Sequence, residues 1–155
     1  MTRKCDLYIC ESVKNDRLRF IGLFDYTFRY QEESAYVGFL GVGIGRIKAV
    51  SIVSDLRGHG VSCFSVPIEY RDAAHWSVEM ALDKAESHAE SIKASIAPVE
   101  KMSQRYPPLY WMFHLLNNEG EGGRSGGVVM VDRIDGHIWS KSEYEEYMYD
   151  YNNII

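Results

Sequence analysis

The chain is short of several things. No apolar run in its 155 residues approaches the roughly 18 that a membrane-spanning helix needs. Behind the opening "MTRKCDLYICES" there is no apolar stretch of the length a secretory signal carries. Cysteine is scarce: three residues, an odd number, at spacings that suggest no pairing. A disulfide framework is therefore not expected. Together these point to a cytoplasmic protein with reduced thiols.

Signatures of chemistry are also missing. "GVGIG" (41–45) begins like a dinucleotide-binding loop, but the place of its third glycine is taken by Arg46, and "RIKAVSIV" reads as a strand where that motif requires a helix. "GEGGRSGG" (120–127) carries Arg124 in mid-loop and no lysine. It reads as a flexible loop between a helix and a strand, the reverse of the order that aims a helix N-terminus at phosphate. His59 and Cys63 in "HGVSC" stand close enough to suggest a metal pair or a nucleophile with its base. A metal needs three or four ligands, however, and His75, His88, His114 and His137 complete no set. Cys5 and Cys10 would point to opposite faces of a strand, and Cys63 reads as a small buried hydrophobe. There is no Gly-x-Ser-x-Gly, no paired metal histidines and no evident carboxylate pair in a cleft. No metal and no cofactor are expected. An enzyme of a class without a short signature remains the alternative reading, with a pocket near His59 and Cys63, Arg46 or Arg124.

What is present suits one domain over residues 1–155. An apolar fraction of 46% and a charged fraction of 25% are those of an ordinary globular protein. The net charge of −5 is unevenly spread. Residues 1–70 carry nine Lys/Arg against eight Asp/Glu, whereas residues 71–155 carry eight against fourteen. The acidic half argues against broad nucleic-acid or anionic-membrane binding, since both need positive charge. It suits a basic protein surface.

The pattern of periods predicts an α+β fold. "DLYIC", the alternating segment from Leu18 to Tyr30, the runs Tyr36 to Ile44 and Ile47 to Val53, and "VSCFSVPIEY" read as an antiparallel meander of about five strands. From Asp72 to Ala97 the period changes. Val78, Leu82, Ala85, Ala89, Ile92 and Ile96 recur at helical spacing, with Asp72 as a cap and Pro98 as a stop. "PPLYWMFHLLNNEG" reads as a second, buried helix. "VVMVDRIDGHIWS" reads as a hairpin turning at Asp135-Gly136. Ser140 with Glu143 opens a last helix, on which Tyr144, Tyr147, Met148 and Tyr151 share one narrow arc.

Two sets of acids on these helices are the candidate partner-binding residues. Glu79, Asp83, Glu86 and Glu90 fall in one line on the long helix, with Trp76 and Met80 on the same outer side. Like charges four apart cost a few tenths of a kcal/mol per pair, so such a line invites a compensating role. Glu143, Glu146 and Asp150 form a second patch on the last helix. The plainer reading of both is a solvated face. DNA mimicry is disfavoured because the line carries one charge per roughly 5 Å, against about 1.7 Å along duplex DNA. In being small, acidic, aromatic-rich and motif-poor, the chain resembles toxin-neutralising immunity proteins and anti-defence proteins of mobile elements. That resemblance is compositional and identifies no family. The expectation is a small acidic cytosolic module that inhibits one protein partner by occupying a basic surface, with a homodimer compatible with the same features.

Overall fold

The computed structural model describes residues 3–14, 16–31, 35–97, 106–117 and 124–154. The fold is α+β, with an antiparallel sheet in the N-terminal part and a hairpin and short helix towards the C-terminus. The chain divides into two compact units. One comprises Met1–Asp72, Gln104–Pro107 and Ser142–Ile155, the other Ala73–Ser103 and Pro108–Lys141.

The first unit is built around β1 (Lys4–Val13). Its alternate residues Cys5, Leu7 and Ile9 are fully buried. A 3₁₀ helix (Asp16–Leu23) follows, where the alternation of residues 18–30 predicts a strand. Among its described side chains Leu18 and Ile21 are buried, three apart, which is the 3₁₀ period rather than the strand period. Short strands β2 (Tyr36–Phe39) and β3 (Ile44–Gly45) pair along one side of β1. The run Ile47 to Val53, also expected as a strand, lies in helix α1 (Arg46–Gly58). Its buried residues Ala49, Ile52, Val53 and Leu56 form a helical stripe that joins the β1 face in one core. Strand β4 (Cys63–Pro67) pairs with the other side of β1, from Cys5↔Pro67 to Ile9↔Cys63, and the single turn α2 (Glu69–Asp72) follows.

Strand β4 is the outer strand on its side, yet all five of its residues are buried. Its outward backbone groups are taken by side chains. Arg57 donates from Nε and Nη2 to the Cys63 carbonyl at 2.9 and 2.6 Å. The last helix of the chain serves Ser65: the Tyr147 hydroxyl donates to the Ser65 carbonyl, and the Ser65 amide donates to Asn152 Oδ1, both at 2.7 Å. Pro67 has no N–H to offer. Side-chain caps thus do here what a neighbouring strand would do for an exposed edge.

The second unit has α3 (Val78–Ser91) packed on an antiparallel sheet of order β5 (Ala94–Ile96), β6 (Tyr110–Asn117), β7 (Arg124–Asp132). The helix is shorter than residues 72–97. Ser77 caps it by accepting from the Met80 amide at 3.2 Å, while Asp72 closes α2 instead. Lys93 turns the chain with a positive φ, so Ile96 lies in β5 rather than on the helix. The expected second helix is strand β6, whose Trp111, Phe113 and Leu115 alternate into the cluster beneath α3. Of the glycine-rich segment 120–127, residues 120–123 lie outside the described residues and the rest belongs to β7. The return at Asp135-Gly136 is present, with Gly136 at φ +74° and a single bridge from Val131 to Ile138. Helix α4 (Lys141–Asn152) completes the chain and, from Ser142, belongs to the first unit. Among the described residues no helix is long and apolar enough to cross a membrane.

Candidate interaction surface

Helix α3 owes its position to small residues. Ala81, Ala85 and Ala89 recur every fourth residue and are all fully buried. With nothing beyond Cβ, they let the backbone lie close to the sheet, where Ala81 and Ala85 cluster with Phe113, Val129 and Val131. This inner stripe lies to one side of the predicted one: Val78 and Leu82 are half-buried, and Ile92, placed inward by periodicity, is 52% exposed just beyond the helix end. The opposite side carries the acids. Glu79, Asp83, Glu86 and Glu90 are all exposed. At about 100° per residue they fall between roughly 100° and 160° from Ala85, one band along the outer surface. Met80 is also exposed, so an apolar group borders the band.

Trp76 is placed differently. It is half-buried within the cluster under α3. Its amide donates to the Arg133 carbonyl at 2.6 Å, its own carbonyl accepts from Trp111 Nε1 at 2.9 Å, and its ring covers Gly136 so closely that a Cβ there would overlap it. Its contacts are those of a packing residue at the entrance to the helix.

The second acidic set lies on α4, in the other unit. Glu146 and Asp150 are exposed and Glu143 is half-buried. The opposite face is held by Tyr147 and Met148, both buried, with Tyr151 stacked on Tyr147 at 5.4 Å between centroids. Arg3 donates to the Tyr151 hydroxyl at 3.0 Å and Arg46 to the Asp150 carbonyl. The tail is a docked helix with an acidic outer side.

The remaining candidates resolve into structure. A helix does follow "GVGIG", but the amides of Gly41 and Val42 donate to the Asp6 carboxylate, each at 3.0 Å, and that of Gly43 to Asp25 at 2.8 Å. The loop holds the protein's own anions. Cys63 is 1% exposed, and burial pushes its thiol up to about 12. His59 turns to the Asp55 carbonyl at 2.8 Å. Arg46 is occupied on α4, and the side chain of Arg124 lies outside the described residues. A neutral, buried thiol is a poor nucleophile. Of the three cysteines only the half-exposed Cys10 is expected to react with a thiol reagent in the folded protein, Cys5 and Cys63 labelling only on unfolding. Rapid labelling of Cys63 at neutral pH, followed by mass spectrometry, would contradict this.

One group went unnoticed in the sequence. Oxygens of Asp132 and Asp135 and a ring nitrogen of His137 lie within 4.8 Å of one another. Their types would suit a divalent cation, but local bonds already use them. Asp132 is 1% exposed and accepts from the amides of Ile134 and Asp135 and from Trp139 Nε1. His137 Nδ1 meets Asp135 Oδ1 at 2.5 Å. The signal was a D-x-x-D-x-H spacing, and its evident role is to lock the turn after β7.

No family model matches the chain, and no curated protein or solved structure is significantly similar to it.

Proposed function

We propose that this chain is a protein-binding module that neutralises one partner by covering a basic surface with the outer face of α3, in the manner of immunity or anti-defence proteins acting in the cytosol. The observation that carries this reading is the division of labour on α3. Its inner face is given over to alanine packing, and four exposed carboxylates of one sign line its outer face at spacings where they repel one another. Met80 and Ile92 offer the apolar contact that an interface core requires. Glu143, Glu146 and Asp150 are a second acidic patch for the same class of partner. Trp76 contributes by fixing the start of α3.

Of the residues named for the enzyme alternative, Cys63 is sealed in the core and His59 Nδ1 meets the Asp55 carbonyl.

The test is Glu79→Lys with Glu86→Lys, measured against the protein captured from the native host. Association should slow at least about tenfold and lose most of its salt dependence, with the melting temperature unchanged. If affinity and on-rate both stay within about twofold in a folded variant, below what charge pairs contribute at steered interfaces, the acidic band is only a solvated face.

A further inference from the structure

The first unit carries a different surface. Leu23, the last residue of the 3₁₀ helix, is 86% exposed, and on the loop that leaves it Tyr26 is 83% and Phe24 40% exposed. Ile47, in the first turn of α1, is 65% exposed. Scattered exposed hydrophobes are ordinary, but a run of three large ones is not. The loop is also held in shape. Both oxygens of Asp25 are engaged, one by the amide and hydroxyl of Thr27 at 2.9 and 2.6 Å, the other by the Gly43 amide at 2.8 Å. The Phe28 amide returns to the Asp25 carbonyl at 3.0 Å, and Phe24 meets Phe20 edge-to-face. Two cations flank the tip. Lys48 Nζ lies 5.7 Å from the Phe24 ring centroid, and Arg29 donates to the Tyr26 carbonyl at 2.5 Å.

We propose that this tip, Leu23, Phe24 and Tyr26 rimmed by Lys48 and Arg29, is a contact for an anionic lipid surface. With Leu23 and Tyr26 more than four-fifths exposed, both side chains can enter an interface without rearrangement of the loop. Aromatic rings with flanking cations are the chemistry of the headgroup layer, and each Lys or Arg near an anionic leaflet strengthens attachment about fivefold. The net charge of −5 argues the other way only at long range. Beyond about 10 Å salt screens it, and at contact the local cations decide. The loop is already ordered, so little conformational entropy is lost on binding. This surface is independent of the acidic face of α3.

The test is co-sedimentation with vesicles of phosphatidylcholine, with and without phosphatidylserine. Binding is expected only to the vesicles that contain phosphatidylserine. It should fall at least about tenfold for Leu23→Ser with Tyr26→Ser and for Lys48→Glu with Arg29→Glu. All four side chains are exposed, so the variants should melt like the parent protein. Tyr26→Trp, which keeps an aromatic ring, should bind as the parent does and report burial by a fluorescence blue-shift. Absence of binding to the anionic vesicles, equal binding to neutral ones, or binding unchanged in both double variants would overturn the proposal. So would a concentration-dependent dimer in sedimentation velocity that Leu23→Ser with Tyr26→Ser abolishes, since the tip would then belong to a second copy of this chain.

Discussion

Tyr147→Ala is expected to destabilise the protein by about 3–5 kcal/mol, the range for removing a large buried aromatic. The ring is 5% exposed and stacks on Tyr151, and its hydroxyl caps the Ser65 carbonyl. Tyr147→Phe isolates the cap. It keeps the ring but leaves a buried carbonyl without its donor, and should cost about 1–3 kcal/mol. Chemical denaturation of the two variants separates packing from capping. An unchanged midpoint for Tyr147→Ala would mean that α4 is not docked through this ring. Asn152→Ala should resemble Tyr147→Phe, because it strips the acceptor from the Ser65 amide on the same residue.

Asp6→Ala is expected to cost a similar amount, about 3–5 kcal/mol. The carboxylate is fully buried and accepts four hydrogen bonds: from the amides of Leu7, Gly41 and Val42, and from Arg71 Nη1 at 3.1 Å. Burial pushes its pKa above the usual carboxylate range, against the pull of those four donors. Alanine leaves three amides and one side of a guanidinium unanswered. Arg71 keeps Asp72 and the Val42 carbonyl, so the loss falls mainly on the glycine loop. Asp6→Asn should fall between parent and alanine, because one amide oxygen can still accept two N–H bonds while the amide nitrogen faces donors. Calorimetric melts of both variants check the order. Asp6→Ala melting like the parent would show that the loop does not depend on this carboxylate.

How much of this was legible varied from element to element. The tail helix was readable because Tyr147, Met148 and Tyr151 separate at helical spacing from Glu146 and Asp150, although Tyr149 falls on the acidic side. The α3 acids were readable for the same reason, since exposure on a regular helix follows from spacing alone. Strand β6 was not. Met112 and Leu116 lie on the face opposite Trp111, Phe113 and Leu115, so the apolar–polar contrast that marks period two is erased, and Pro108 pointed to a helix start. Helix α1 was hidden in the opposite way: Ile47, Val50, Ile52 and Val53 are β-branched, and only the placement of Ala49, Ile52, Val53 and Leu56 on the β1 core overrides that preference. The packing of Trp76 needed Gly136, a neighbour in space with no signal in the local sequence. The fates of Gly41, Val42 and Gly43 likewise turned on Asp6 and Asp25, which lie in other elements.

The caps on β4 impose an order in time. The Cys63 carbonyl is answered by Arg57, six residues earlier, and Pro67 has no N–H to leave open, so these protections exist as soon as the strand has been made. Ser65 is answered by Tyr147 and Asn152, 82 and 87 positions later. At roughly 5–20 residues per second, a growing chain spends on the order of several seconds with that one residue open on both its amide and its carbonyl. During that interval the nascent sheet can accept a foreign strand at Ser65. The last helix ends that exposure, and a polypeptide interrupted before Tyr147 would keep it for as long as it survives.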